Sequence, residues 1–309
     1  MRKNLFCPAK VNLFLEVTGK RPNGYHELST VFAKISLGDY ITVDATSAHK
    51  TSISLKVTGP QGSRIPATSQ NLVYKAAQAF LDYYCINARI QLLLDKRVPT
   101  GAGLGGGSSD AAGVLLALSD IFHKNPLDLV ELAATLGADV PLFLYPDTFL
   151  KGEGIGEKLS PIPCAANLPH LVLMYPNTTV STKAVFARMQ MPAPQEVLTN
   201  RSKLDKLIDV VRDGLPLASW GPLLFNRLEE YVLPFVPTVK EALSTLQWAS
   251  ESICMMSGSG STVFTLVGTE QNAKELAAKL RYTKALVYPV SFYKGPEDAN
   301  YGDKSSSNE

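Results

Sequence analysis

At 309 residues the chain is long enough for about two domains, and 45% hydrophobic residues can fill two ordinary cores. A net charge of +2 implies neither a polyanion-binding surface nor an acidic tail. The cysteines (Cys7, Cys85, Cys164, Cys254) and histidines (His26, His49, His123, His170) are scattered, which speaks for reduced cytosolic thiols and against a disulfide frame or a zinc site.

The first seven residues look briefly like a leader, but their apolar stretch is short and is soon interrupted by Lys10 and Asn12. No run reaches the ~18 apolar residues of a membrane span, so the chain reads as cytoplasmic. Residues 10–17 and 41–43 are rich in strand formers and flank the turn Arg21-Pro-Asn-Gly-Tyr-His26. Residues 51–57 alternate like a strand, and 71–84 read as a helix with Leu72, Ala76, Ala79 and Phe80 on one face. Residues 90–94 form a predicted strand that leads into a glycine-rich loop and an Ala-rich helix over 110–118. A further helix over 127–136 stops at Gly137, before Ala138-Asp139-Val140-Pro141. Another glycine turn lies at 152–156, and Pro161-Ile-Pro163 marks the expected domain boundary. The second half opens with a strand over 171–174. Helical patterns come next at 185–188, 203–212 and 239–248, then a glycine turn over 256–264 and a helix over 272–280. The end, 303–309, is polar and is expected to be disordered. The implied division is 1–160, 161–297 and a tail over 298–309.

The loop Pro99-Thr100-Gly101-Ala102-Gly103-Leu104-Gly105-Gly106-Gly107-Ser108-Ser109 is the most specific local signal. Glycine lets backbone bend sharply and approach a ligand closely. Ser108 or Ser109 can cap the adjoining helix, and a helix N-terminus offers free N–H groups and partial positive charge to a phosphate. No lysine comes after the glycines, so this is not a Walker A loop. Gly101, Gly103 and Gly106 match G-x-G-x-x-G, but a dinucleotide fold needs a second strand ending in an acid about 20 residues on, and Asp120 comes after a helix. A flexible linker would not carry Leu104 at its centre and end on an apolar helix.

Asp139 lies in a mostly apolar setting. It reads either as a capping or ion-paired carboxylate or as a general base for a substrate hydroxyl. Lys10, inside an apolar strand, is either a solvated edge lysine or an inward one beside a carboxylate or phosphoryl oxygen. Tyr25 and His26 are either surface packing or a stacking face and hydrogen-bonding tip for a flat heterocycle.

Pro8-Ala-Lys10-Val-Asn12-Leu, the 99–109 loop and Ser257-Gly-Ser-Gly-Ser261 together resemble the three motifs of the GHMP small-molecule kinases, relatives of galactokinase, homoserine kinase, mevalonate kinase and phosphomevalonate kinase. Arg21-Pro-Asn-Gly-Tyr-His-Glu-Leu28, Gly105-Gly-Gly107 and Leu136-Gly-Ala-Asp139-Val-Pro141 narrow the resemblance. They point to the branch that phosphorylates the 2-hydroxyl of a cytidine diphosphate-linked methylerythritol in the non-mevalonate isoprenoid pathway. The resemblance implies a two-domain α+β fold, an active site in the interdomain cleft and a left-handed β-α-β crossover. It places ATP phosphates in the 99–109 loop, Asp139 as base, Lys10 as its partner and Lys96 at the adenine border. Asn12, Tyr25, His26, Thr182 and Phe186 are implied as cytidine or substrate contacts, with Phe186 opposite Tyr25 across the cytosine. Mg2+ is implied with ATP; its protein ligands are unknown, with Ser108 and Ser109 as candidates. The protein is expected as a monomer or homodimer without nucleic-acid or membrane partners. The alternatives are a GHMP kinase for another alcohol, of homoserine or phosphomevalonate type, and an inactive ligand sensor.

Overall fold

The computed structural model describes residues 1–295; the tail expected over 298–309 lies outside them. Long apolar runs broken by the Pro-Asn-Gly turn fold into two paired strands, β1 (Arg2–Lys20) and β2 (His26–Ser47). They are joined by β3 (Ser52–Thr58), β4 (Ala88–Asp95), β5 (Phe149–Gly154), β6 (Lys158–Ile162), and, from far along the chain, β8 (Phe225–Asn226). Among the described residues these form a seven-stranded sheet in the order β3-β4-β2-β1-β8, with β5 paired to β2 and β6 to β5. The second sheet, β11-β7-β10-β9, takes β7 (His170–Tyr175), β9 (Cys254–Met256), β10 (Val263–Val267) and β11 (Leu286–Val290).

Helix α1 (Leu72–Tyr83) starts at Asn71, whose side chain accepts from Val73 N, and it links β3 to β4, which run parallel. With α2 (Gly106–Ile121) it covers the first sheet, and α3 (Val130–Leu136) packs against α1 and α2. Phe80, Leu115 and Leu118 pack there against Ile41, Ile90 and Leu92. The second half adds α4 (Thr182–Arg188), α5 (Pro194–Asp213), α6 (Glu229–Val232), α7 (Pro237–Ala249) and α8 (Glu270–Leu280).

Strand β6 carries the first sheet to Ile162, and β8 pairs in parallel with β1 through Phe14 and Leu15. The first sheet therefore draws strands from both halves of the chain. A second apolar cluster is shared by the halves: Val11, Leu13 and Ala33 of the first sheet meet Leu171, Leu204, Leu207 and Trp220. No helix of the described residues is long and apolar enough to cross a membrane.

Candidate active site

At Lys10, strand β1 pairs with β2 on one side and its backbone N–H is taken by the Leu104 carbonyl of the glycine loop on the other, so the lysine has no solvated edge to occupy. Lys10 and Asn12 are both buried. Lys10 Nζ donates to Asn12 Oδ1 at 2.8 Å and stands 3.6 Å from Asp139 Oδ2. Asn12 Nδ2 donates in turn to Thr30 Oγ1 at 2.9 Å, which donates to the Phe14 carbonyl at 2.6 Å. This chain of bonds fixes the amide so that its oxygen faces the ammonium. Asp139 sits in the turn after α3. The apolar neighbours in its sequence suggest a buried carboxylate, but its side chain is 35% exposed, because Ala138 and Asp139 lie at a cavity edge while Val140 and Pro141 turn inward.

The 99–109 loop alternates. Ala102, Leu104 and Gly106 are buried, Gly103 and Gly105 are half-buried against Ser257 and Lys10, and Gly101 and Gly107 are exposed. Gly101, Gly103 and Gly105 adopt φ of 65°, 77° and 68°, a backbone open to glycine at little cost. The Lys10 backbone N–H donates to the Leu104 carbonyl at 2.9 Å, tying the loop to β1. Helix α2 begins at Gly106 with Gly105 as its cap, so the expected serine cap is not used and Ser108 and Ser109 lie in the first turn. The first intrahelical bond runs from Ser109 N to Gly105 O, which leaves the N–H groups of Gly106, Gly107 and Ser108 at the free helix end.

From the second half comes the turn after β9. Ser257 Oγ bridges the two glycine loops: it accepts from Asn12 N at 3.3 Å and donates to Gly103 O at 3.2 Å. Thr182 Oγ1 lies 2.7 Å from Ser259 Oγ. A cavity of about 300 Å3 is lined by Lys10, Asn12, Gly103, Gly105, Ser108 and Asp139 on one side and by Thr182, Gly258 and Ser259 on the other. A larger cavity, about 670 Å3, opens elsewhere between His170, Thr269 and Phe292. Converging polar groups rather than size single out the smaller one.

Residues 71–147 match the GHMP kinases N terminal domain and 214–285 the GHMP kinases C terminal domain. The chain is 37% identical to the 4-diphosphocytidyl-2-C-methyl-D-erythritol kinase of Deinococcus radiodurans, covering 89% of this chain and 87% of that protein. It is 37% identical to the kinase of the same name from Thermus thermophilus, covering 89% and 91%. A crystal structure of 4-(cytidine 5'-diphospho)-2C-methyl-D-erythritol kinase superposes with a TM-score of 0.75 at 34% identity, over 94% of this chain and 100% of that one. The chain belongs to the 4-diphosphocytidyl-2-C-methyl-D-erythritol kinase family. Its fold is the two-domain α+β fold of the GHMP kinases. A homoserine kinase from Cytophaga hutchinsonii, with a TM-score of 0.75 at 16% identity, shares that fold.

Within this kinase Lys96 is not at an open border. It is fully buried under the loop, where its Nζ donates to Asp39 and, at 2.7 Å, to Asp110 Oδ2. Burial opposes its charge, but the two carboxylates raise its pKa above the ordinary lysine value. Asp39 Oδ1 also accepts from Arg97 N at 2.5 Å and Val98 N at 2.8 Å. The Lys96 side chain thus braces the root of the loop against α2, and its carbonyl is taken by Gln61 N.

The ring that stacks on Phe186 is His26, with centroids 5.0 Å apart and planes 20° apart; Tyr25 is 59% exposed. Burial, with the charge of Lys20 second, pushes the His26 pKa below its ordinary value. His26 is two residues from Leu28, and Phe186 is one helical turn past Thr182; both Leu28 and Thr182 line the cavity. Ser257, which opens the second glycine motif, belongs to the same hydrogen-bonded framework as Thr30 and Asn226, and nothing in the local sequence of the latter two marks them. Among the described residues no three His, Cys, Asp or Glu side chains are placed to hold a metal ion.

Proposed function

We propose that the cavity is the catalytic cleft in which ATP phosphorylates the 2-hydroxyl of 4-diphosphocytidyl-2-C-methyl-D-erythritol, in the cytoplasm and as a step of non-mevalonate isoprenoid synthesis. The observation that carries the assignment is the Lys10–Asp139 pair, 3.6 Å apart, facing the free N-terminus of α2 across one cavity. Phosphoryl transfer needs positioning and charge stabilisation more than covalent help from the protein. Asp139 accepts the proton of the acceptor hydroxyl and orients its oxygen. Lys10, buried and held by Asn12, orients the Asp139 carboxylate and offsets charge that develops on the transferred group. The outward face of the glycine loop takes the ATP phosphates on backbone N–H groups.

That loop fits a phosphate chain. A Cβ on Gly107 would meet nothing within 4 Å, so the backbone there faces open space. Mg2+ also fits, because it keeps most of its coordination from phosphate oxygens and water and needs few protein ligands. Ser108 lines the cavity and would contribute a ligand; Ser109 is buried beneath it. Held there, the ion would supply positive charge that offsets the charge of the phosphates. The stacked His26 and Phe186 form an aromatic end suited to the cytosine, with Tyr25 exposed beside them in the chain, and homoserine and phosphomevalonate lack that group.

The test is a kinase assay with ATP across alcohols with and without the cytidine diphosphate group. Asp139→Asn is expected to lower kcat by about 10²–10⁴ while nucleotide binding stays intact. A variant within a few-fold of wild type would remove Asp139 from the mechanism.

A further inference from the structure

The segment that returns from the second half to the edge of the first sheet carries a device the reaction as described does not use. Asn226 lies in β8, in register with Leu15 of β1, and the next residue's N–H donates to the Leu15 carbonyl at 2.8 Å. Asn226 is 5% exposed and every polar atom of its side chain is engaged. Nδ2 donates to Met256 O at 2.7 Å and to Gly258 O at 2.8 Å, and Oδ1 accepts from Leu228 N at 3.0 Å. Three residues on, Glu229 Oε1 accepts from Met256 N at 2.6 Å. One short segment therefore grips both backbone groups of Met256 and the carbonyl of Gly258.

Gly258 lines the cavity and abuts the reacting pair. A Cβ built on it would lie 3.2 Å from Asn12 Oδ1 and 3.4 Å from Lys10 Nζ. We propose that Asn226 is a positioning residue for the phosphoryl transfer, holding the second glycine loop against Lys10 and Asn12 from the backbone of β1. The inference rests on reading the cavity as the catalytic site. Its physical basis is that a buried amide with both N–H groups committed to carbonyls fixes the outer side of a turn whose own bonds, Ser257 N to Thr262 O and Gly260 N to Ser257 O at 2.9 Å, leave the Gly258 carbonyl free. Glycine turns have many accessible conformations, so without the clamp Gly258 drifts and the Lys10 ammonium loses its wall.

Asn226→Asp is the sharpest probe. It keeps the acceptor for Leu228 N but sets a carboxylate oxygen against two carbonyls. The expected result has three parts: kcat at least 10-fold lower, KM for ATP within about threefold, and amide exchange over residues 257–262 at least 10-fold faster by hydrogen-exchange mass spectrometry. Glu229→Gln, which still accepts from Met256 N, is expected to retain at least half of wild-type kcat, and Glu229→Ala is not. Unchanged exchange over 257–262, or a common rise of both KM values with a fallen Tm, would overturn the clamp. A wild-type enzyme inactive on the cytidine diphosphate-linked alcohol, with exchange still accelerated in Asn226→Asp, would instead count against the assigned reaction. Should both variants fail to fold, Asn226→Ser, small enough to fit the site and able to donate a single bond, gives the same readouts at lower cost: intermediate exchange supports the clamp, and wild-type exchange rejects it.

Discussion

Phe186 and His26 lie 160 positions apart, in opposite halves of the chain, and meet face to face, where the resemblance sets Tyr25 opposite Phe186. The pairing leaves Tyr25 exposed, with its backbone N–H held by Asn23 Oδ1 at 3.2 Å in the Pro-Asn-Gly turn. A stacked, neutral imidazole suits a pyrimidine edge because it offers both a donor and an acceptor. Base–aromatic stacking is worth ~1–3 kcal/mol per base. Phe186→Ala is therefore expected to raise KM for the cytidine-bearing acceptor by about 5- to 150-fold and to leave KM for ATP nearly unchanged. The two KM values and a thermal melt decide the matter: a fallen Tm with an unmoved acceptor KM would make Phe186 a packing residue. Lys10 shows what is legible at this scale. A lysine within an apolar strand is conspicuous, and the two readings it allows are separated by its burial between β2 and the glycine loop. Lys96 shows what is not. Its position before the loop suggests a nucleotide border, whereas its partner Asp39 lies 57 residues away on a neighbouring strand, a distance that no local pattern spans.

The glycine loop and α2 act as one element, and their inward and outward positions make a paired test. A Cβ at Gly106 would stand 2.9 Å from Val98 Cγ1 and 3.0 Å from Lys96 Nζ, inside the packed root of the loop. At Gly107 the same atom would meet nothing. Gly106→Val is therefore expected to lower stability, by about 1–3 kcal/mol for overpacking. Gly107→Val is expected to leave the melt nearly unchanged but raise KM for ATP at least tenfold, because its side chain fills the space where phosphate would approach the helix end. Unchanged ATP affinity in a folded Gly107→Val protein would place the nucleotide elsewhere. The elements themselves are largely readable. The helix expected over 71–84 is Leu72–Tyr83, and the strand expected over 90–94 lies within Ala88–Asp95. The helix after the loop starts earlier than its apolar run suggests, because a left-handed glycine, not a serine, supplies the cap. The two-residue strand β8 has no sequence signature, because so short a strand has no periodicity; only its partner β1 defines it.

At the scale of the molecule, the halves are joined by more than a linker. The shared apolar cluster is reinforced by one buried ion pair: Arg227 Nε and Nη2 donate to the two oxygens of Glu16 at 2.8 and 2.9 Å, while Asn200 Nδ2 donates to Glu16 Oε2 at 2.5 Å. Glu16 belongs to β1, Asn200 to α5, and Arg227 comes directly after β8, so three segments from the two halves converge on one carboxylate. Glu16 is 1% exposed and also accepts from Val17 N at 2.9 Å. The sequence boundary expected at residues 161–163 could not reveal this, because each of these charges looks like an ordinary surface residue when read alone. Breaking a buried pair from one side leaves the other charge uncompensated, which typically costs about 3–5 kcal/mol, whereas replacing both partners with apolar groups costs far less. Arg227→Met is thus expected to lower stability by about that amount, through the stranded Glu16 carboxylate. Glu16→Met with Arg227→Met is expected to recover a large part of the loss, with the deficit read from denaturant midpoints and thermal melts of all three variants. If the double variant is as unstable as the sum of the singles, the pair is not acting as a unit, and the shared apolar cluster alone sets how the two halves hold the cleft between them.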